Sequence, residues 1–169
     1  MVKHTSRWWE LMEAARQHRQ PAPLFHAALE LVDQGAGFVI EMAPAWGVPA
    51  AERGVVATGP VGSARLGRSR LFRYEVRCWP DGTIPDRQWS VGAPILLTED
   101  QRIVHDILER VRQVPIRTWG RSVPPTGDMW NSNSLIAWLL AGVGISTELR
   151  PPDGGRAPGW DAGLALAMS

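Results

Sequence analysis

The hydrophobic pattern of this chain changes period part-way along, and that change limits the folds it can adopt. Across residues 71–79, Phe72, Tyr74, Val76 and Cys78 alternate with Arg73, Glu75, Arg77 and Trp79. A period of two predicts a strand with one face buried. From Thr98 the spacing lengthens: Ile103, Val104, Ile107, Leu108 and Val111 form a helical stripe that ends before Pro115. Thr98, with Gln101 three residues on, reads as its capping box, which predicts a helix over 99–114. A strand and a helix that each bury one face cover one another, so the class is α+β with a small antiparallel sheet packed on helices. At 169 residues and 44% hydrophobic, with no internal repeat and no linker, the chain suits a single domain over 1–169.

The remaining elements follow from punctuation. Trp8, Leu11, Met12 and Ala15 lie on one helical face, predicting a helix over 5–19 closed by Pro21 and Pro23. Two apolar runs flank Asp33, Gln34, Gly35 and Gly37, predicting a hairpin over 24–43. Residues 44–69 carry Pro44, Pro49, Pro60 and several glycines, as a long loop does, with a short strand near Val55 and Val56; such a loop suits a lid or a site wall. A second helix over 131–141 follows Asp128 and Asn131 and stops at Gly142 and Gly144. The turn-rich tail over 150–169 packs back through Trp160, and Trp8 and Trp138 are read as packing residues too.

Charge and cysteine content narrow the function classes. Eighteen Lys and Arg against 17 Asp and Glu leave +1 overall, so any charged partner has to be met by a local patch. Arg65, Arg68, Arg70 and Arg73 form the one basic cluster. It suits a phosphate, a carboxylate or a nucleic-acid backbone, or it is plain solvated loop; with no recognition helix beside it, no nucleic-acid partner is expected. The lone Cys78 excludes an internal disulfide, and His4, His18, His26 and His105 show no metal-ligand spacing, so neither metal nor cofactor is expected. Charges interrupt every apolar stretch near the N-terminus and no run approaches the ~20 residues of a membrane span. The cytoplasm is the expected compartment. Nothing in the sequence speaks to oligomeric state.

Two places carry candidate chemistry. A hairpin closed through Asp33 and Gln34 sets residues whose numbers sum to 67 opposite one another, so His26 faces Glu41. Their Cβ atoms would lie roughly 4.5–5.5 Å apart, close enough for the carboxylate to orient the imidazole. The alternative is a polar pair on a solvated face. Ser132 falls in the first turn of the second helix, where free N–H groups and the helix dipole favour an oxyanion. The alternative there is capping, for which Asn131, Ser132, Asn133 and Ser134 are all suited. The amides of Asn131 and Asn133 are further oxyanion donors, with Trp130 and Trp46 as site lining. Asp128 is a second candidate acid. Cys78, a rival nucleophile, is read as a small core residue.

A histidine opening an apolar hairpin (FHAALEL), a second strand reading FVIEM, and a late Asn-x-Asn-Ser helix start (NSNSLIAWLL) together resemble the circularly permuted NlpC/P60 papain-like superfamily. Its members include YiiX-like, lecithin:retinol acyltransferase-like and PPPDE-type families. The resemblance implies a permuted papain-like fold, with His26 as general base, Glu41 as orienter and Ser132 at the nucleophile position. It implies hydrolysis or acyl transfer at an amide or ester bond of a peptide or small acylated substrate. The family's nucleophile is usually cysteine; here it is serine, whose proton must be removed during attack. A serine hydrolase, a binding module without turnover, and a thiol hydrolase whose cysteine has been replaced all fit that departure.

Overall fold

The computed structural model describes residues 22–45, 53–82, 84, 93–149 and 151–169. The helix expected over 5–19, with Trp8, and the candidate lining residue Trp46 lie outside them. Four strands, β1 (Leu29–Asp33), β2 (Ala36–Pro44), β3 (Val55–Pro60) and β4 (Arg73–Pro80), form one antiparallel sheet in the order β1-β2-β4-β3. Three helices accompany it: α1 (Gln101–Val111), α2 (Ser132–Gly142) and α3 (Trp160–Ala167). The described residues are thus α+β with a small antiparallel sheet.

The hairpin register differs from the expected one, and turn chemistry is the cause. Asp33 pairs with Ala36 and Leu29 with Ile40, so Gln34 and Gly35 are the two loop residues. Both have positive φ, 49° and 85°. A two-residue turn matched to strand twist needs that conformation twice, and Gly35 supplies it without steric cost where Asp33 would not. Moving the turn by one residue shifts the sum of paired numbers by two. Glu41 therefore no longer opposes His26, which precedes β1 altogether.

One sheet face is apolar. Leu29, Leu31, Ile40, Met42, Tyr74 and Val76 join Val104, Ile107, Leu108 and Val111 of α1 and the buried side chains of α2 in a single core. Burying each such side chain stabilises the fold by about 1.5–3 kcal/mol. In α2 every residue from Ser132 to Leu140 is buried, because the helix is enclosed by α1, α3 and the sheet. The capping of α1 shifts by two positions from expectation: Asp100 is the N-cap, accepting from Arg102 N–H at 2.9 Å, while Thr98 Oγ1 accepts from Asp100 N–H at 3.0 Å.

The tail expected to be turn-rich also contains α3, which packs tightly on α2. A Cβ on Gly163 would lie 2.2 Å from the Ser134 carbonyl oxygen, so glycine sets how closely the two helices approach. Trp160 Nε1–H donates to Thr147 C=O at 3.2 Å. Another departure concerns Phe72. Residues Arg70–Phe72 form a 3-10 turn ahead of β4, so Phe72 leaves the core face and is exposed.

The other sheet face holds charges. Glu75 accepts from Arg53 at 2.7 and 2.9 Å and from Arg77 Nε at 3.2 Å, and Arg77 Nη1 donates to Glu41 at 2.9 Å; all four residues are buried. Burial alone would raise the Glu75 pKa, but hydrogen bonds and charge from Arg53 and Arg77 outweigh it and hold the carboxyl below its ordinary 4.5. An acid whose pKa is lower folded than unfolded contributes stability above the unfolded value, and that contribution is lost as pH falls through the folded value. Glu75→Gln is expected to cost about 3–5 kcal/mol in urea unfolding at neutral pH, because it leaves buried guanidinium groups undercompensated. Below about pH 4 the wild-type midpoint should fall more steeply with pH than that of Glu75→Gln.

Candidate active site

The start of α2 is the most heavily bonded turn in the described chain. Asn131 is its N-cap: Oδ1 accepts from the N–H groups of Asn133 (2.9 Å) and Ser134 (3.2 Å), and Ser134 Oγ accepts from Asn131 N–H at 3.0 Å. This reciprocal box satisfies three orphan donors of the helix start. Ser132, the first helical residue, is left with a backbone N–H that has no hydrogen-bond partner among the described residues. Capping thus falls to Asn131, and Ser132 Oγ is released for another contact.

That contact is with His26. Ser132 Oγ lies 2.6 Å from His26 Nδ1, a separation short even for a hydroxyl hydrogen bond. With the imidazole proton on Nε2, the hydroxyl donates to Nδ1, the direction a general base requires. Ser132 is buried and His26 exposed.

His26 belongs to no strand, and its position comes from the Asn133 carboxamide. Oδ1 accepts from Ala27 N–H at 2.9 Å, and Nδ2 donates to Phe25 C=O at 3.0 Å and to Pro158 C=O at 2.9 Å. The side-chain amide bonds the backbone on both sides of residue 26 as a neighbouring strand would. Asn131 Nδ2 donates to the same Pro158 carbonyl at 2.8 Å. The tail passes so near that a Cβ on Gly159, whose φ is +94°, would lie 2.2 Å from Asn131 Oδ1. It is anchored further where Gly159 N–H donates to Asp128 Oδ2 at 2.7 Å, and where Arg156 brackets the 23–25 segment through Phe25 N–H to Arg156 C=O (2.9 Å) and Arg156 N–H to Pro23 C=O (2.8 Å).

Several expected site residues have other work. Glu41 faces away from the helices and is paired with Arg77, so it does not orient His26 through the hairpin. The carboxamides of Asn131 and Asn133 are committed to the cap, to segment 25–27 and to Pro158, which removes Asn133 as an oxyanion donor and gives Asn131 a structural role. Trp130 is fully buried, its indole N–H on Tyr74 Oη at 3.1 Å, so it is core and not site lining. Asp128 holds the Gly159 N–H and its own neighbour Met129 N–H. Cys78 is half-buried beside the core, where burial raises its thiol pKa against a smaller opposing effect of Arg112. The sequence does not reveal the Asn133 clamp, because each of the four polar residues of NSNS suits a cap and either asparagine suits an oxyanion donor; geometry separates the cap, Asn131, from the clamp, Asn133.

No family model, curated protein or solved structure matches this chain.

Asn133→Ala removes the partners of Ala27 N–H and of the Phe25 carbonyl. It is expected to cost about 1–3 kcal/mol in chemical denaturation. Ring nitrogen shifts of His26 in NMR spectra should move towards those of a free imidazole, while Asn133→Asp, which meets two carbonyls with a carboxylate, should rescue neither readout. An unchanged His26 signature in Asn133→Ala would show that other contacts fix the ring.

Proposed function

We propose that this chain is a hydrolase or acyltransferase acting on an amide or ester bond through Ser132. The observation that carries the reading is the 2.6 Å contact between Ser132 Oγ and His26 Nδ1 at the start of a buried helix. Ser132 Oγ attacks the substrate carbonyl carbon while His26 Nδ1 takes its proton. The oxyanion that forms lies near the unpaired Ser132 N–H, at the positive end of the α2 dipole. Collapse of the intermediate expels an amine or alcohol, which receives the proton held on Nδ1, and leaves an ester on Ser132. Water or a second nucleophile, deprotonated by His26, then releases or transfers the acyl group.

The order of the parts supports a permuted papain-like arrangement: the base precedes the sheet, and the nucleophile opens a late helix against it. A second reading has its own support. Glu41 is held by Arg77 on the far face of the sheet, so the carboxylate assigned as orienter is not beside His26. That favours a papain-like module that binds an acylated ligand or peptide without turnover.

Intact-protein mass spectrometry after exposure to a fluorophosphonate distinguishes the two. A single adduct on the wild type, absent in Ser132→Ala and slowed about a hundredfold or more in His26→Ala, is the expected outcome. No adduct on the wild type, together with rapid alkylation of Ser132→Cys by iodoacetamide, would establish an intact cleft without serine chemistry.

A further inference from the structure

The basic cluster noted in the sequence belongs to an ordered, exposed loop that the proposed chemistry does not use. Residues 61–72 leave β3 and return to β4, and the loop is tied at its base by Val61 N–H donating to Phe72 C=O at 2.8 Å. Two 3-10 turns, Leu66–Arg68 and Arg70–Phe72, fill its outer part. It folds back on β3 at Gly67, where a Cβ would lie 2.7 Å from Pro60 Cβ. Apolar side chains of a loop so constrained would be expected to turn inward, yet Leu71 is 74% exposed, Leu66 45% and Phe72 43%. Arg65, Arg68 and Arg70 alternate with them, are exposed, and make no ion pair among the described residues. No acidic residue occurs between positions 61 and 73. Arg121 adds charge at the loop base, its Nε on Gly62 C=O at 2.7 Å.

We propose that this loop is a docking surface for an anionic lipid bilayer. A chain of net charge +1 has no global field to bring it to a membrane, so attraction must come from such a patch. Guanidinium groups without carboxylate partners complement lipid phosphates, and Leu66, Leu71 and Phe72 supply apolar surface that enters the headgroup and acyl boundary. An exposed loop of this kind needs no complementary groove in its partner, which a fluid interface does not offer. A nucleic-acid backbone would satisfy the arginines but leave two leucines in water. Among the described residues no helix is long and apolar enough to cross a membrane, and the contact proposed here is made by the loop alone.

Flotation of the full chain with phosphatidylcholine vesicles, with and without phosphatidylserine, tests the proposal. The chain should float with the phosphatidylserine vesicles and much less with phosphatidylcholine alone, and added salt should weaken binding. Arg65→Gln/Arg68→Gln/Arg70→Gln should lower the partition coefficient on the order of a hundredfold, about fivefold per charge. Leu66→Ser/Leu71→Ser/Phe72→Ser should lower it at unchanged charge, and both variants, altered only at exposed positions, should melt as the wild type does. Absence of flotation with phosphatidylserine, or insensitivity to either triple substitution, would overturn the proposal. So would tighter binding to polyuridylate than to the vesicles, which would assign the loop to nucleic acid. Loss of fluorophosphonate labelling leaves this test unaffected, so the two readings fail separately.

Discussion

The Asn133 carboxamide joins three stretches of chain that lie outside the four-stranded sheet: segment 25–27 ahead of it, the first turn of α2, and Pro158 in the tail. An asparagine side chain has one acceptor and two N–H donors, and here all three are used on backbone groups. Aspartate lacks the donors, and serine or alanine lacks the reach. The arrangement makes the separation between His26 and Ser132 a property of the helix start itself. The residue that holds segment 25–27 is the immediate neighbour of Ser132, so movement of the turn carries His26 and Ser132 together.

The sheet serves two unlike environments. Its helix-facing side follows the ordinary logic of apolar burial, whereas its other side buries two guanidinium and two carboxylate groups in a charge-balanced cluster of Arg53, Glu75, Arg77 and Glu41. Buried ion pairs repay their desolvation only when geometry and hydrogen bonding are good; the two-pronged Arg53–Glu75 contact supplies the geometry, while Arg53 Nη1 is buried without a hydrogen-bond partner. Arg77 shares its guanidinium among Glu75, Glu41 and the Pro44 carbonyl, stitching β4 to β2 across the sheet. Glu41 is in that way a structural member of the sheet's charged face.

Much of the fold was legible because it depends on local periodicity. The alternation around Tyr74 and Val76, the stripe from Val104 to Val111 and the stop at Gly144, whose φ is +74°, each express a preference within a few residues. What sequence misjudged were choices between near-equal local options. Asp33-Gln34 and Gln34-Gly35 are both possible hairpin turns, and the one-residue difference between them decides whether Glu41 meets His26. Four consecutive polar residues can each cap a helix, and only the tertiary partners of Asn133 reveal its separate duty. The Ser132–His26 pair was expected from the papain-like resemblance, whereas the hairpin argument placed His26 opposite Glu41, a register the structure does not have. The helix over Trp160–Ala167 is not legible in the sequence because the stretch before it is rich in glycine and proline and its eight residues give periodicity little room.

The convergence at Pro158 also bears on how the molecule comes into being. Contacts spanning 106 residues, from His26 to Ser132 and from Ala27 to Asn133, impose a large loop-closure cost before any gain is realised. During synthesis the early histidine emerges long before the serine, and the tail that closes over both comes later still. The hairpin and the first helix can form meanwhile from nearby contacts alone. The serine–imidazole pair is therefore among the last features to be completed: a half-made chain carries its components apart, and the 2.6 Å contact forms only once segment 25–27 and the tail have docked on α2.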